Sequence, residues 1–428
     1  MRAAPTPTTS LAKVAREVTV SGSLLLLVPT TSYRVGDFLQ AAERLGVDVA
    51  VGSDQQNILA QFSPGRTMTV DFRDLARGLD QITSYHRDYP LAAIIGVDQE
   101  TTLLAAMAGE ALALPHNAPA SVEAAGNKYR FRNRLANSGL PAPWFNLLDL
   151  SDDPMAHCRN LPYPVVLKPL ALSASRGVIR ANDPDQFLTA CKRIEAILAN
   201  SEQSGEAASH ILIEAYIPGQ EVALEGLLED GRLRVLALFD KPDPLEGPFF
   251  EETIYITPSR LPSEVQSNVA ATVAKGVATL GLRHGPIHAE LRINDQGAWL
   301  IEVAARSIGG LCARALDFGA AGRLEDLIIR AALGLTAINT DAPSASGVMM
   351  IPIPGAGVLS RVDGLEAARA VAGIADIAIS IPQGDTLVPV PEGDRYLGFI
   401  FASGDTPELA EATLREAHDK LEFVIEAA

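Results

Sequence analysis

A chain of 428 residues is too long for one ordinary hydrophobic core, so two or three packed units are expected. Apolar residues make up 47% and charged residues 20%, a balance that excludes a disordered chain. The formal net charge of −17 argues against a nucleic-acid partner, which demands clustered Lys and Arg, but leaves room for a nucleotide site needing a few local cations.

The first 22 residues are rich in Pro, Thr and Ala and lack the apolar stretch of a signal peptide, so they read as a loose tail. Leu24 to Val28 is a continuous apolar run, as in a strand covered on both faces. Phe38, Ala41, Ala42 and Leu45 follow at helical spacing, stopped by Gly46. A strand over Val47–Val51, a helix over Leu75–Tyr85, a strand over Leu91–Val97 and a helix over Glu100–Leu112 continue the alternation, which implies an open parallel sheet. A helix over Lys128–Ser138 is followed by a strand, Val165 to Lys168, and a loop of small residues, Ser173 to Gly177. A helix over Asp185–Leu198, a polar loop to Ser209 and a strand over Ile211–Ile217 come next. Val222–Leu228 and Leu233–Phe239 read as antiparallel partners joined by the turn Glu229-Asp230-Gly231, followed by a Pro-rich loop from Lys241 to Pro248 and a helix over Ser263–Leu280. From Ala342 onward short strands alternate with Pro and Gly turns, ending with a strand over Tyr396–Phe401 and a helix that Thr406 and Pro407 start.

No apolar run reaches membrane length, so no membrane contact is expected. Cys158, Cys191 and Cys312 have no metal-clip or redox spacing and read as free thiols of a reducing compartment, which makes the expected location cytoplasmic. The chain contains no Gly-Lys dipeptide, hence no Walker A loop, and no G-x-G-x-x-G after the first strand.

The most informative stretch runs from His288 to Val303. Two strand-like segments flank Asp295-Gln296-Gly297, and a three-residue hairpin loop would set Asn294 opposite Ala298 and Glu290 opposite Glu302. Opposed like charges, with Cβ atoms about 5 Å apart, are destabilising unless they share a proton or bridge a divalent cation. A two-residue loop would instead put the glutamates on opposite faces. Four residues beyond Glu302 stands Arg306, able to clamp a carboxylate or phosphate, and then Gly309 and Gly310, whose amides can turn toward an anion. An ordinary surface ion pair and an ordinary loop are the plain alternatives.

In order and approximate spacing, Asn127-Lys128, Val165-Val-Leu-Lys168-Pro169, Glu214-Ala-Tyr-Ile217-Pro-Gly-Gln-Glu221, His288-Ala-Glu290 and Glu302-Val-Ala-Ala-Arg306 resemble the ATP-grasp superfamily, most of all its L-amino acid ligase branch. The resemblance implies an α/β and α+β multidomain fold. It would have an open parallel pre-ATP-grasp domain over 23–115, a two-lobed ATP-grasp domain over 116–340 with a nucleotide-covering lobe inside 128–205, and a small α+β domain over 341–428. It implies ATP and Mg2+ or Mn2+ as cofactors, and small carboxylate and amine substrates joined through an acyl-phosphate. A homodimer is compatible with it.

By the same resemblance Lys128 and Lys168 would contact the phosphates and the adenine end. Ser173, Ser175, Arg176 and Gly177 would belong to a loop closing over the γ-phosphate. Glu214 and the backbone of Ala215 and Ile217 would read the adenine edge, and Glu221 would accept from the ribose hydroxyls. Glu290 and Glu302 would hold the metal, while Arg306, Gly309 and Gly310 would bind the reacting carboxylate. Glu251 and Glu252 can bind an ammonium or form a solvated acidic loop. The family pattern carries Asn two residues after the second metal glutamate, where this chain has Ala304; His288, opposite it in the expected register, a water or a substrate oxygen can fill that place. Two rivals stand: a biotin-carboxylase-like or purine-pathway carboxylating enzyme of the same superfamily, and a nucleotide-binding module without catalysis.

Overall fold

The computed structural model describes residues 22–55, 64–336, 338 and 344–427. The expected tail lies, but for Gly22, outside the described residues, as does the expected boundary at 340/341.

The N-terminal alternation folds as expected. Strands Ser23–Leu27, Val49–Ser53, Thr67–Thr69 and Leu91–Gly96 form a parallel sheet in which Ser23–Leu27 pairs with both Val49–Ser53 and Leu91–Gly96. Leu24 to Leu27 are completely buried, which explains a strand with no polar alternation. Helix Val35–Leu45 ends on Gly46 in the left-handed conformation, its N–H capping the last turn.

Two antiparallel sheets follow. A four-stranded one, in the order Phe145–Asp149, His210–Ala215, Val165–Pro169, Ile179–Ala181, packs on helix Pro184–Ala199 through Phe187, Cys191 and Ile194. An eight-stranded one runs Gly297–Ala304, Gly285–Asn294, Gln220–Glu229, Arg232–Asp240, Ile254–Thr257, Ala345–Ile351, Gly398–Gly404, Ile374–Ile379. Helix Ser263–Leu280 buries Val269, Val273 and Val277 in the core of this sheet. Strand Ala345–Ile351 pairs with Ile254–Thr257, so the large sheet continues into the last segment of the chain. That pairing covers an edge that would otherwise expose unpaired backbone. A three-stranded sheet, Thr386–Leu387, Gly357–Asp363 and Glu422–Glu426, completes the C-terminal part. Among the described residues, no helix is long and apolar enough to cross a membrane.

Two details of the hairpins matter. Asp230 and Gly231 both have positive φ, 51° and 85°, as a two-residue turn between paired Glu229 and Arg232 requires. The second hairpin corrects the sequence reading: Asn294 pairs with Gly297, so the loop has two residues rather than three. The opposition of Glu290 and Glu302 nevertheless holds, because the register shifts between Leu291↔Leu300 and Glu290↔Glu302, leaving Ile301 as an extra residue. This β-bulge returns Glu302 to the face of Glu290. His288 then faces Ala304, as expected.

Candidate active site

One cavity of about 1090 Å³ lies where the two antiparallel sheets, the N-terminal unit and the C-terminal segment meet. It is lined by Lys128, Lys168, Ser173, Ser175, Arg176, Glu214, Ala215, Ile217, Glu221, Glu290, Glu302, Arg306, Gly309 and Gly310. Of the residues given a nucleotide, metal or carboxylate role by the resemblance, Gly177 is not part of its wall, and neither are Glu251 and Ala304. The Gly177 N–H donates to the Pro391 carbonyl at 2.8 Å, and a Cβ there would meet Pro169 Cγ at 2.6 Å.

Lys168 and Glu214 point at one another from adjacent strands, Nζ to Oε1 at 2.6 Å. The other oxygen of Glu214 accepts from Arg132 Nε at 2.5 Å, and Arg132 Nη2 reaches Oε1 at 3.1 Å. Burial, the largest effect, works against the Glu214 carboxylate, but Arg132 and Lys168 outweigh it and hold its pKa down, to about 2. The Glu214 side chain, expected at an adenine edge, thus carries two protein cations at the cavity wall. Ala215 donates its N–H to Trp144 O at 2.8 Å, and the Ile217 carbonyl accepts from Arg292 Nη1 at 2.9 Å.

Arg132 is one of the residues that sequence reasoning missed. It lies one helical turn beyond Lys128 on helix Lys128–Ala136, so the two share a face. That i, i+4 spacing was the available signal. Its guanidinium also donates to the carbonyls of Leu300 at 2.6 Å and Ile301 at 3.1 Å, the two residues at the bulge. One buried cation thus fixes Glu214, and through it Lys168, together with the distorted strand that carries Glu302.

Glu302 remains a third exposed and lies 3.5 Å from Lys128 Nζ, which also donates to Leu172 O at 2.6 Å. Glu290 is more enclosed. Its Oε1 is 3.2 Å from His288 Nε2 and 3.6 Å from Lys241 Nζ. The other imidazole nitrogen, Nδ1, is 2.5 Å from Glu225 Oε1. Burial disfavours an imidazolium, but the two carboxylates prevail and raise His288 to about 9.

Glu221, expected at a ribose, carries Lys241 on Oε1 at 2.8 Å and Arg292 Nε on Oε2 at 2.9 Å, so its carboxylate is already paired. Glu252 does bind an ammonium, as the sequence allowed, but it is the chain's own Lys241; it also accepts from Tyr255 OH at 2.7 Å. Burial, followed by the charge of Glu290, raises the Glu252 pKa. Oxygens of Glu221, Glu252 and Glu290 lie within 4.8 Å of one another.

The small-residue loop is docked rather than open. Ala174 and Ser175 hold φ of 54° and 55°. Arg176 Nε donates to the Glu392 carbonyl at 3.0 Å and Nη1 lies 3.4 Å from Asp394 Oδ2, so the arginine expected at a γ-phosphate is turned to the C-terminal segment. Arg306 keeps its guanidinium at the cavity wall, with Nη1 donating to Ser307 O at 2.8 Å. Gly310 has φ +58° and lies so close to Phe399 that a Cβ would sit 2.9 Å from its ring, which explains glycine there.

Comparison with known proteins agrees with this architecture. Residues 39–116 match the model of the ATP-grasp N-terminal domain, 161–315 that of the ATP-grasp domain, and 349–426 that of the L-amino acid ligase C-terminal domain 2. Together these segments take in most of the chain. The crystal structure of L-amino acid ligase from Bacillus licheniformis superposes with a TM-score of 0.79 at 26% identity, covering 95% of this chain and 99% of that one. Dapdiamide A synthase of Enterobacter agglomerans is 25% identical over 80% of this chain and 82% of its own length. Alanine–anticapsin ligase of Bacillus subtilis is 26% identical over 51% of this chain. The chain spans only 50% of that ligase, and 64% of an uncharacterized Sinorhizobium fredii protein 23% identical to it. The chain therefore belongs to the ATP-grasp superfamily, and its C-terminal segment matches a domain of the L-amino acid ligases.

Proposed function

We propose that the protein joins the carboxylate of an amino acid to an amine, using ATP and Mg2+ and releasing ADP and phosphate. The observation that carries this reading is the placing of Glu290 opposite Glu302 in the same cavity as Lys128, Lys168 and Arg306. Hard carboxylate oxygens beside ammonium and guanidinium groups suit a metal–triphosphate. When bound, magnesium would neutralise phosphate charge, and Glu302 with Glu290 would hold it.

The chain's own residues have assignable tasks. Lys168, oriented by Glu214, and Lys128 present ammonium groups to the phosphates. The backbone around Ala215 and Ile217 forms the adenine wall. Arg306 and the amides at Gly309 and Gly310 hold the substrate carboxylate for in-line attack on the γ-phosphate, giving an acyl-phosphate and ADP. Attack of the amine then expels phosphate through a tetrahedral species that the same cations stabilise. The docked Ser173–Gly177 loop keeps water from the reactive anhydride.

Phosphate and ADP release across a panel of amino acids and amines, with product mass read out, tests the proposal. Amine-dependent turnover yielding a condensed product supports it. Bicarbonate-dependent turnover would instead favour a carboxylating enzyme, and nucleotide binding with no turnover on any pair would point to a binding module.

A further inference from the structure

The acidic face of the site is already partly neutralised by the protein. Three carboxylates with oxygens within 4.8 Å of one another would by themselves attract a divalent ion. Here the Lys241 ammonium sits among them, 2.8 Å from Glu221, 3.6 Å from Glu290 and hydrogen-bonded to Glu252. Lys241 is buried at 4% exposure, with Nζ 5.0 Å from the centre of the Tyr255 ring. Burial pulls its pKa down, but the three carboxylates overcome that and raise it. The carboxylates also have further partners: Arg292 on Glu221, Tyr255 on Glu252 and His288 on Glu290. A divalent ion entering this cluster would have to displace Lys241 and leave a buried ammonium unpaired. Across the hairpin, Ala304 offers a methyl group where the family pattern has an amide oxygen. Glu302 is different. It is the more open carboxylate of the opposed pair and lies outside the Lys241 cluster.

We propose that this chain binds a single divalent ion per nucleotide, anchored by Glu302, and that Lys241 supplies from the Glu290 side the positive charge a second ion would bring. The inference rests on the ATP- and metal-dependent reading above. It assigns Lys241 as a fixed positioning cation: it holds Glu221, Glu252 and Glu290 together without being displaced when nucleotide enters.

The test is a count of metal rather than a rate. The full-length protein is dialysed to equilibrium against Mn2+ and a non-hydrolysable ATP analogue, and bound Mn2+ and nucleotide are both measured. The expected ratio is one Mn2+ per bound nucleotide, falling in affinity at least tenfold in Glu302→Gln. Two Mn2+ per nucleotide in the unaltered protein overturn the single-ion inference while leaving the ligase reading intact. Failure to bind nucleotide overturns both. The double variant Lys241→Gln, Ala304→Asn, checked for an unfolding transition, should gain a second Mn2+, while Ala304→Asn alone should stay at one. A double variant that folds and still binds one ion overturns the assignment to Lys241, and the count on the unaltered protein stands whatever the fate of the variants.

Discussion

Glu290 stands opposite Glu302 only because Ile301 is an extra residue in the strand that carries Glu302. With a two-residue loop and an unbroken ladder, Glu302 would pair with Ala289 and turn toward the sheet core. The bulge lets a tight turn and a face-to-face acidic pair coexist, and both carboxylates reach the same cavity. Replacing Glu302 by Gln keeps the shape and removes the charge. Turnover of the ligation should fall about 10²–10³-fold, the scale of losing one preorganised electrostatic contact, while the unfolding midpoint changes little because the side chain is a third exposed. Steady-state kinetics beside a thermal melt settle it; undiminished kcat would remove Glu302 from the metal site.

Arg132 is buried at 1% exposure and donates to Glu214 and to the Leu300 and Ile301 carbonyls. Arg132→Met leaves the Glu214 charge with Lys168 alone and two strand carbonyls without their donor. The expected cost is about 3–5 kcal/mol, that of breaking a buried pair from one side. Adding Glu214→Leu should recover part of it, because the uncompensated carboxylate is then gone. Denaturant unfolding of both single variants and the double measures the coupling. An Arg132→Met protein as stable as the original would show that the arginine is not what holds the bulge and Glu214 together.

Two titrations shape stability in opposite pH ranges. Glu214 has a folded pKa near 2, below its ordinary value of 4.5, because Arg132 and Lys168 overcome burial. Its contribution is therefore complete above about pH 4.5 and is lost as pH falls toward 2. His288 is raised from 6.5 to about 9 by Glu225 and Glu290 against burial. Its contribution is complete below pH 6.5 and drains away as pH rises through 9. For the metal-free protein, stability should decline between pH 7 and 9.5 with a slope that His288→Gln flattens by up to about 1.4 kcal/mol per pH unit, the limit for one proton. Parallel slopes for the two proteins would remove His288 as the titrating group.

Local signals were enough for most elements. Helix Ser263–Leu280 falls over the expected residues, and the turn expected at Glu229-Asp230-Gly231 closes on Asp230 and Gly231, which tolerate positive φ, with Glu229 paired in the strand. Helix Pro119–Gly126 went unread because its N-cap is Ala118, with no side-chain cap, and its face of Ala, Val and Ser has little amphipathic contrast. The Glu290–Glu302 opposition was legible, but for the wrong reason, since a bulge has no composition signature of its own. The partners of the acidic residues were not legible at all. Lys241 and Arg292, which hold Glu221, and Glu225, which holds His288, come from strands and loops whose side chains meet only in the folded sheet, and Glu392 is 199 residues from Arg193. Motif order could name Glu214 and Glu221 as site residues. It could not show that protein cations already occupy their oxygens.

Those distant partners include a latch. Arg193 Nη2 donates to Glu392 Oε2 at 2.8 Å and Nε bonds the other oxygen, a two-pronged grip. Arg176 adds its bond to the Glu392 carbonyl and its contact with Asp394, and Gly177 donates to Pro391. The Ser173–Gly177 loop is thereby tied to the C-terminal segment across the mouth of the cavity, whose wall includes Arg176, Asp394, Arg395 and Tyr396. The pair is about two-fifths exposed on each side, so its removal should cost less than about 1 kcal/mol of global stability. Its effect belongs to closure. In Glu392→Ala the C-terminal segment that holds the loop loses its Arg193 anchor, and the KM for ATP should rise several-fold while the unfolding midpoint stays within a degree or two. Proteolysis within residues 173–177 should quicken in the free variant and slow again when nucleotide is added. An unchanged KM with unchanged cleavage would mean that the loop closes on the nucleotide without help from the C-terminal segment.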